Sequence, residues 1–339
     1  MRWLITGGAG FIGCNTAERL IADGHEVVIF DNLSRPGADL NLQWLRSRGR
    51  YAFVHGDVRD PAALADAFRT NQQLDVVLHL AAQVAVTTSV LDPRTDFEIN
   101  ALGTFNVCEA VRQLAPETIL LNASTNKVYG AMTTVPVTER KGQYEYLDLP
   151  QGVSEEQPVD FHSPYGCSKG SGEQYVKDYA AIYGLRTLSF RQSCIYGSRQ
   201  FGIEDQGWVA WFAIAAVVKR PITIYGDGKQ VRDILFVDDL IESYLKAIER
   251  IATITGRVYN IGGGPQNVAS LREVLDHLEE LVGSKIPRSL AAWRPGDQRV
   301  FVSDITRARK DLGWEPKVAK YEGIRRLVRW VTENRSLFT

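Results

Sequence analysis

The first 31 residues restrict this chain more than any other stretch. Trp3-Leu4-Ile5-Thr6 is a short apolar run with the character of a strand, and Gly7, Gly10 and Gly13 follow it directly. Beyond Gly13 the apolar residues Ala17, Leu20 and Ile21 take helical spacing, and Gly24 closes the helix. Strand, glycine turn and helix in this order make a place where a pyrophosphate rests on backbone N–H groups at a helix N-terminus. The next strand, Glu26-Val27-Val28-Ile29-Phe30, ends in Asp31, 18 residues past Gly13. A carboxylate there accepts hydrogen bonds from ribose hydroxyls and repels a 2′-phosphate, which favours NAD; Arg35 close by keeps NADP open as the alternative.

The alternation continues. Tyr51-Ala52-Phe53-Val54 with Gly56-Asp57-Val58 reads as a third strand with a polar end, and residues 61–69 are helical. Residues 75–82 form a buried strand that finishes in Leu80-Ala81-Ala82, small residues that let a ligand approach the backbone at the edge of a parallel sheet. His79 in that strand reads as a packing residue. Phe97–Leu114 has the pattern of a long helix with Asn100 near its start, and Thr118–Ala123 is the following strand. This order predicts an α/β fold, a Rossmann-type doubly wound parallel sheet with a smaller mixed α/β C-terminal substrate domain. The boundaries read as 1–190 and 233–262 for the cofactor-binding domain, with 191–232 and 263–339 for the substrate domain.

Composition narrows the function classes. With 39 basic and 40 acidic residues the net charge is −1, so no general basic surface offers itself to nucleic acid or an anionic membrane. The four cysteines are scattered without a Cys-x-x-Cys, and the five histidines are dispersed, so the sequence points to no metal site and no disulfide frame. No apolar run has the length of a membrane span, and the N-terminus enters a strand without a signal-peptide pattern. A cytoplasmic enzyme is the expectation.

His162-Ser163-Pro164-Tyr165-Gly166-Cys167-Ser168-Lys169 supplies chemistry. Tyr165 and Lys169 lie one helical turn apart on one face, with Pro164 suited to the first turn. A free phenol has a pKa of about 10, and a nearby ammonium is expected to draw it toward working pH, so that it takes an alcohol proton. Thr125, at the end of the strand near 119–123, offers a hydroxyl partner.

Together, Gly7-x-x-Gly10-x-x-Gly13, Asp31-Asn32-Leu33-Ser34, Leu80-Ala81-Ala82, Asn100 and Tyr165-x-x-x-Lys169 resemble the extended short-chain dehydrogenase/reductases that act on nucleotide sugars. The likeness covers almost the whole chain, including Tyr225-Gly226-Asp227-Gly228 and Arg294-Pro295-Gly296-Asp297. It implies that Thr125, Tyr165 and Lys169 are catalytic. It implies that NAD is held tightly by Gly7, Gly10, Phe11, Ile12, Gly13, Asp31, Asn32, Ser34 and Arg35. Asp57, Val58, Leu80, Ala81, Ala82 and Asn100, with Tyr165 and Lys169, complete that set.

Dehydratases of this family carry an Asp-Glu pair after the threonine, as acid and base for eliminating water. Here Asn126 and Lys127 stand in those places, so the resemblance points to an epimerase. The strings around Arg199-Gln200-Phe201, Gly228–Asp233 and Asp297–Val302 are similar to those of epimerases acting at C2 of a CDP-linked sugar. Another C2 or C4 epimerase of CDP-, GDP- or UDP-hexoses is the alternative. By the same likeness Thr125, Asn126, Lys127, Gln200, Arg232, Arg294 and Asp297 contact substrate, and a homodimer or homotetramer is implied. Cys194 stands where many relatives carry a substrate-contacting asparagine, so that contact is not carried over. The polar segment between Gly130 and Ser163 reads either as a cover for a site or an interface, or as a surface loop.

Overall fold

The opening strand, turn and helix form as β1 (Arg2–Thr6) and α1 (Phe11–Ala22). The computed structural model describes residues 1–294 and 297–338; Pro295 and Gly296, inside the Arg-Pro-Gly-Asp string, lie outside the described residues. The alternation runs on through β2 (Glu26–Asp31), α2 (Ala38–Arg46), β3 (Ala52–His55), α3 (Pro61–Thr70) and β4 (Val76–His79). Then come α4 (Val86–Leu91), α5 (Pro93–Phe97), a π-helical turn at Glu98–Leu102, and α6 (Gly103–Leu114). The helix expected over Phe97–Leu114 therefore starts earlier and contains a wider turn, and Asn100 sits inside that turn. β5 (Ile119–Thr125) leads into a 3₁₀ turn, Asn126–Tyr129.

A hairpin, β6 (Val137–Arg140) and β7 (Gln143–Tyr146), precedes α7 (Ser163–Tyr183), β8 (Thr187–Gln192) and β9 (Cys194–Tyr196). After these come α8 (Trp208–Val218), β10 (Ile222–Tyr225), β11 (Val231–Phe236), α9 (Val237–Ile254) and β12 (Val258–Ile261). The chain closes with β13 (Val268–Ser270), α10 (Leu271–Val282), β14 (Arg288–Ala291), β15 (Val300–Phe301), α11 (Thr306–Leu312) and α12 (Lys320–Glu333).

A seven-stranded sheet has the order β12-β8-β5-β4-β1-β2-β3. β1 pairs in parallel with β2 on one side and β4 on the other, so the direction of winding reverses there. In such sheets ligands bind beyond the C-terminal strand ends at the reversal. The strand ends that meet that edge are Thr6, Asp31, His79 and Thr125. Trp3, Leu4 and Ile5 are fully buried, as expected for a strand covered on both faces. Leu4, Val28, Val77 and Leu120 of the sheet pack with Val107 and Val111 of α6 and Val176 of α7. Each such side chain stabilises the fold by roughly 1.5–3 kcal/mol.

The chain divides into two compact units, the first made of 1–128, 163–191 and 241–259 and the second of 129–162, 192–240 and 260–339. Relative to the boundaries expected from sequence, 129–162, 233–240 and 260–262 count with the second unit. In that unit β11 pairs with β9 and β15 in parallel and with β13 antiparallel, while β10 pairs with β14. The β6–β7 hairpin packs there through Val137, Tyr144 and Tyr146 against Val231 and Val300. Among the described residues no helix is long and apolar enough to cross a membrane, and no metal-holding cluster occurs.

Candidate functional site

The glycine turn separates two kinds of glycine. A Cβ on Gly7 would lie 2.7 Å from the backbone nitrogen of Ala81, and one on Gly13 would collide with the Gly7 carbonyl oxygen. Those positions are bare because the protein itself fills the space. A Cβ on Gly10 would meet only the Gly7 carbonyl oxygen, at 3.1 Å. Gly10 also has an ordinary extended backbone (φ −70°, ψ 177°) and no side-chain cap for α1. The turn thus leaves an open cradle at an uncapped helix N-terminus, where N–H groups seek an anion.

Asp31 braces the cradle. Its Oδ2 accepts from the N–H of Ala9 at 3.0 Å and its Oδ1 from that of Leu33 at 2.8 Å. Burial raises its pKa above the ordinary carboxylate value, and these two bonds oppose the rise. Asn32 donates to Asp57 at 2.8 Å. Asp57 is also ion-paired to Arg59, and its carboxyl is held down at about 2, chiefly by the side-chain hydrogen bond from that arginine. Ser34 donates its backbone N–H to Asn32. Val58 is buried, and Leu80, Ala81 and Ala82 are half-buried. Arg35 is half-buried, and burial lowers its pKa. Asn100 acts as a clamp: it accepts from the N–H of Gln83 at 3.1 Å and donates to the Gln83 carbonyl at 2.9 Å, fixing the loop after β4. His79, bound to Thr6 and Thr104, is buried and held down at about 3, so it packs as a neutral ring.

At the end of β5 the chain delivers Ser124 and Thr125, both buried. Thr125 hydrogen-bonds the Tyr165 phenol, and its Oγ1 accepts from the N–H of Lys127 at 3.2 Å. Asn126 is buried beside it, its Oδ1 3.4 Å from the threonine hydroxyl. The start of α7 comes close to this turn, for a Cβ on Gly166 would lie 3.3 Å from the Lys127 carbonyl oxygen. Ser163 enters the helix at φ 64°, and the Tyr165 N–H donates to Ser89 of α4 at 3.2 Å. One turn on, Lys169 is buried on the same helix.

Burial pushes the Tyr165 phenol up to about 12; Thr125 opposes the rise and Asp96 adds to it. Burial also brings Lys169 down to about 8, against the pull of Asp96 and Glu173. The phenol stands above its ordinary value where the sequence reading expected it lowered, and burial is the largest cause. What the cluster presents is a neutral phenol hydrogen-bonded to a hydroxyl, with a lysine one turn below.

In the second unit, Arg232 donates to Asp297 at 2.7 Å and to its neighbour's carbonyl, that of Val231, at 2.8 Å. A guanidinium has five N–H donors, so these bonds leave others for phosphate oxygens. Arg294 lies 3.9 Å over the Tyr225 ring and pairs with Asp205 at 2.8 Å. The side chains of Arg294 and Asp297 thus each have a separate partner, while the Asp297 N–H donates to the Arg294 carbonyl at 3.2 Å. Gln200 is buried, donates weakly to the Ile195 carbonyl at 3.4 Å, and its Oε1 has no hydrogen-bond partner. Cys194 accepts from the Trp208 indole at 3.5 Å.

A family model described as GDP-mannose 4,6 dehydratase matches residues 4–327. The chain belongs to this family. It is 44% identical over 337 residues to the CDP-paratose 2-epimerase of Salmonella typhi, covering 98% of this chain and 99% of that protein. Among solved structures, the UDP-glucose 4-epimerase of Thermus thermophilus in complex with NAD superposes with a TM-score of 0.82 at 35% identity, covering 97% of this chain and 98% of the other. The UDP-glucose 4-epimerase of Thermotoga maritima with UDP-glucose gives a TM-score of 0.84 at 30% identity, covering 99% and 100%.

Around the family's tyrosine and lysine, the structure adds residues that sequence reading passed over. Glu173 accepts from the Ser124 hydroxyl at 2.5 Å and from Arg191 at 2.6 Å, all three side chains buried. Asp96, fully buried, accepts from Gln83 at 2.8 Å and Asn100 at 2.9 Å. The signals existed as i,i+4 spacings, Lys169 to Glu173 and Asp96 to Asn100.

Proposed function

We propose that this chain is an NAD-dependent nucleotide-sugar 2-epimerase, an isomerase that interconverts CDP-paratose and CDP-tyvelose. One observation carries the reading: the Thr125–Tyr165 hydroxyl pair at the end of β5 is followed by Asn126 and Lys127, so no carboxyl acid and base stand there to eliminate water. The near full-length likeness to a CDP-paratose 2-epimerase supports it.

The residues fit the cofactor. The cradle at Gly10, with Phe11, Ile12 and the uncapped start of α1, would take the pyrophosphate, and Asp31 a ribose. NAD, when bound, supplies the acceptor and later the donor of the C2 hydride, and in its oxidised form a positive charge. The phenol of Tyr165 needs such a charge, since it is protonated at neutral pH and burial raises it further, to about 12. Tyr165 takes the proton of the C2 hydroxyl and returns it after the 2-keto sugar has presented its other face. Thr125 holds the C2 oxygen through the hydroxyl that already meets the phenol. Lys169 supports the phenolate with its ammonium. Asn126 and Lys127 contact the sugar. In the second unit Arg232 and Arg294 bind the diphosphate, with Asp297 and Gln200 on the nucleoside.

The reading places the protein in the cytoplasm, to which its four scattered cysteines are suited. Pairing of copies as a dimer or tetramer rests on the family likeness, with the exposed Tyr175 and Tyr183 of α7 open to a partner; a monomer in sedimentation at micromolar concentration contradicts that part. The test of the activity is a comparison of kcat/KM on CDP-paratose, CDP-tyvelose, UDP-glucose and a GDP-hexose. The expected order puts both CDP-dideoxysugars first. Turnover of UDP-glucose alone sinks the C2 assignment.

A further inference from the structure

Asp96 is a buried carboxylate with half of its hydrogen-bonding capacity in use. Oδ1 takes two donors, Gln83 Nε2 at 2.8 Å and Asn100 Nδ2 at 2.9 Å, while Oδ2 is buried with no hydrogen-bond partner. The residue is completely shielded from solvent. A carboxylate so placed is costly unless a positive charge faces it. α5, which carries Asp96, packs on α7, the helix of Tyr165 and Lys169, so the unpartnered Oδ2 lies buried in the layer next to them, and its charge disfavours proton loss from both. The clamp that fixes Asp96 is the same Gln83–Asn100 pair that shapes the loop after β4, so the charge cannot swing away.

We propose that Asp96 is a positioning residue of the epimerisation, a fixed buried anion that holds Lys169 as an ammonium beneath the reacting phenol. This rests on the reading of Tyr165 and Lys169 given above. The charged and titratable groups around Lys169 are few. Glu173 lies one turn further along α7, but its charge is shared with Arg191 of β8 at 2.6 Å and with Ser124. His79 of β4 is neutral, and Tyr165 is protonated until it reacts. Asp96 of α5 is therefore the anion not already matched by a cation of its own. It acts on both partners in one direction: it disfavours loss of the proton from the lysine and from the phenol alike. Neutralising it should let both protons leave at lower pH.

Asp96→Asn is nearly isosteric and keeps an oxygen for Gln83 and Asn100, so the loop after β4 retains its clamp. In the purified holoenzyme, the pH profile of kcat for Asp96→Asn should move toward acid on both limbs, by about one unit. Relative to wild type, turnover would then fall about tenfold on the basic limb and rise about tenfold on the acid limb. A second readout needs no turnover: the ¹³Cε resonance of Lys169, assigned by its loss in Lys169→Arg, should titrate at lower pH in Asp96→Asn than in wild type. Asp96→Glu keeps the charge and should restore the wild-type profile even if the longer side chain lowers the melting temperature. An unchanged Lys169 titration in folded Asp96→Asn overturns the proposal, as does a loss of kcat equal at every pH. If wild type turns over none of the CDP-sugars, the epimerase reading fails while the lysine titration still decides the role of Asp96.

Discussion

At the scale of single residues, the glycine turn makes opposite demands on neighbouring positions. Gly13 is bare because backbone fills the space a side chain would need, whereas Gly10 faces an open cradle. Gly13→Ala should therefore cost stability, on the order of 1–3 kcal/mol as for other overpacked sites. Gly10→Ala should leave the melting temperature of the cofactor-free protein near that of wild type but lower the amount of NAD that copurifies. Equal losses of stability in the two variants contradict the distinction. The spacing of these glycines was legible in the sequence; which of them serves the ligand was not, because that depends on what lies opposite each Cα. Tyr165 and Lys169 were legible for the same reason of spacing. Their protonation behaviour was not, since burial raises the phenol and α4, α5 and β5 all pack on α7. Asp96 and Glu173 were missed because an acidic residue on a helix ordinarily faces water, and only the tertiary fold buries these two.

At the scale of elements, some units came out as read: β1, β2 and α3 fall within one residue of the stretches 3–6, 26–30 and 61–69 marked in the sequence. The π-helical turn at Glu98–Leu102 and the β6–β7 hairpin did not. Val-Thr-Glu-Arg carries no apolar alternation and Gln-Tyr-Glu-Tyr alternates over four residues only, too short a run to announce a strand, and the hairpin owes its form to what it docks on. Tyr144 donates to Asp227 at 2.6 Å, Lys229 pairs with Glu139 at 2.7 Å, and the Arg299 guanidinium lies 5.2 Å from the Tyr144 ring centre. The polar segment between Gly130 and Ser163 is thus anchored over the β10–β11 turn of the second unit. Tyr144→Phe removes one hydrogen bond to a carboxylate at a partly exposed site, and about 1 kcal/mol of stability should go with it in a urea titration. An unchanged midpoint would show that the hairpin is held by its apolar contacts alone.

At the scale of the whole molecule, a doubly wound sheet carries the phenol, hydroxyl and lysine at its ligand edge, and the chain belongs to a family of nucleotide-sugar enzymes. The proposed chemistry removes and returns one hydride within a single turnover, so the cofactor should not need replenishing and solvent should not enter C2. Tyr165→Phe should keep NAD bound and lose turnover by at least about a hundredfold, the ordinary contribution of a positioned acid–base group. The most direct measurement is proton NMR of CDP-tyvelose with the purified enzyme in D₂O and no added NAD. The C2 epimer should appear with H2 still protium, which means the hydride was held and given back internally. Deuterium at C2, or loss of water with deuterium at C5, would contradict a 2-epimerase working by transient oxidation.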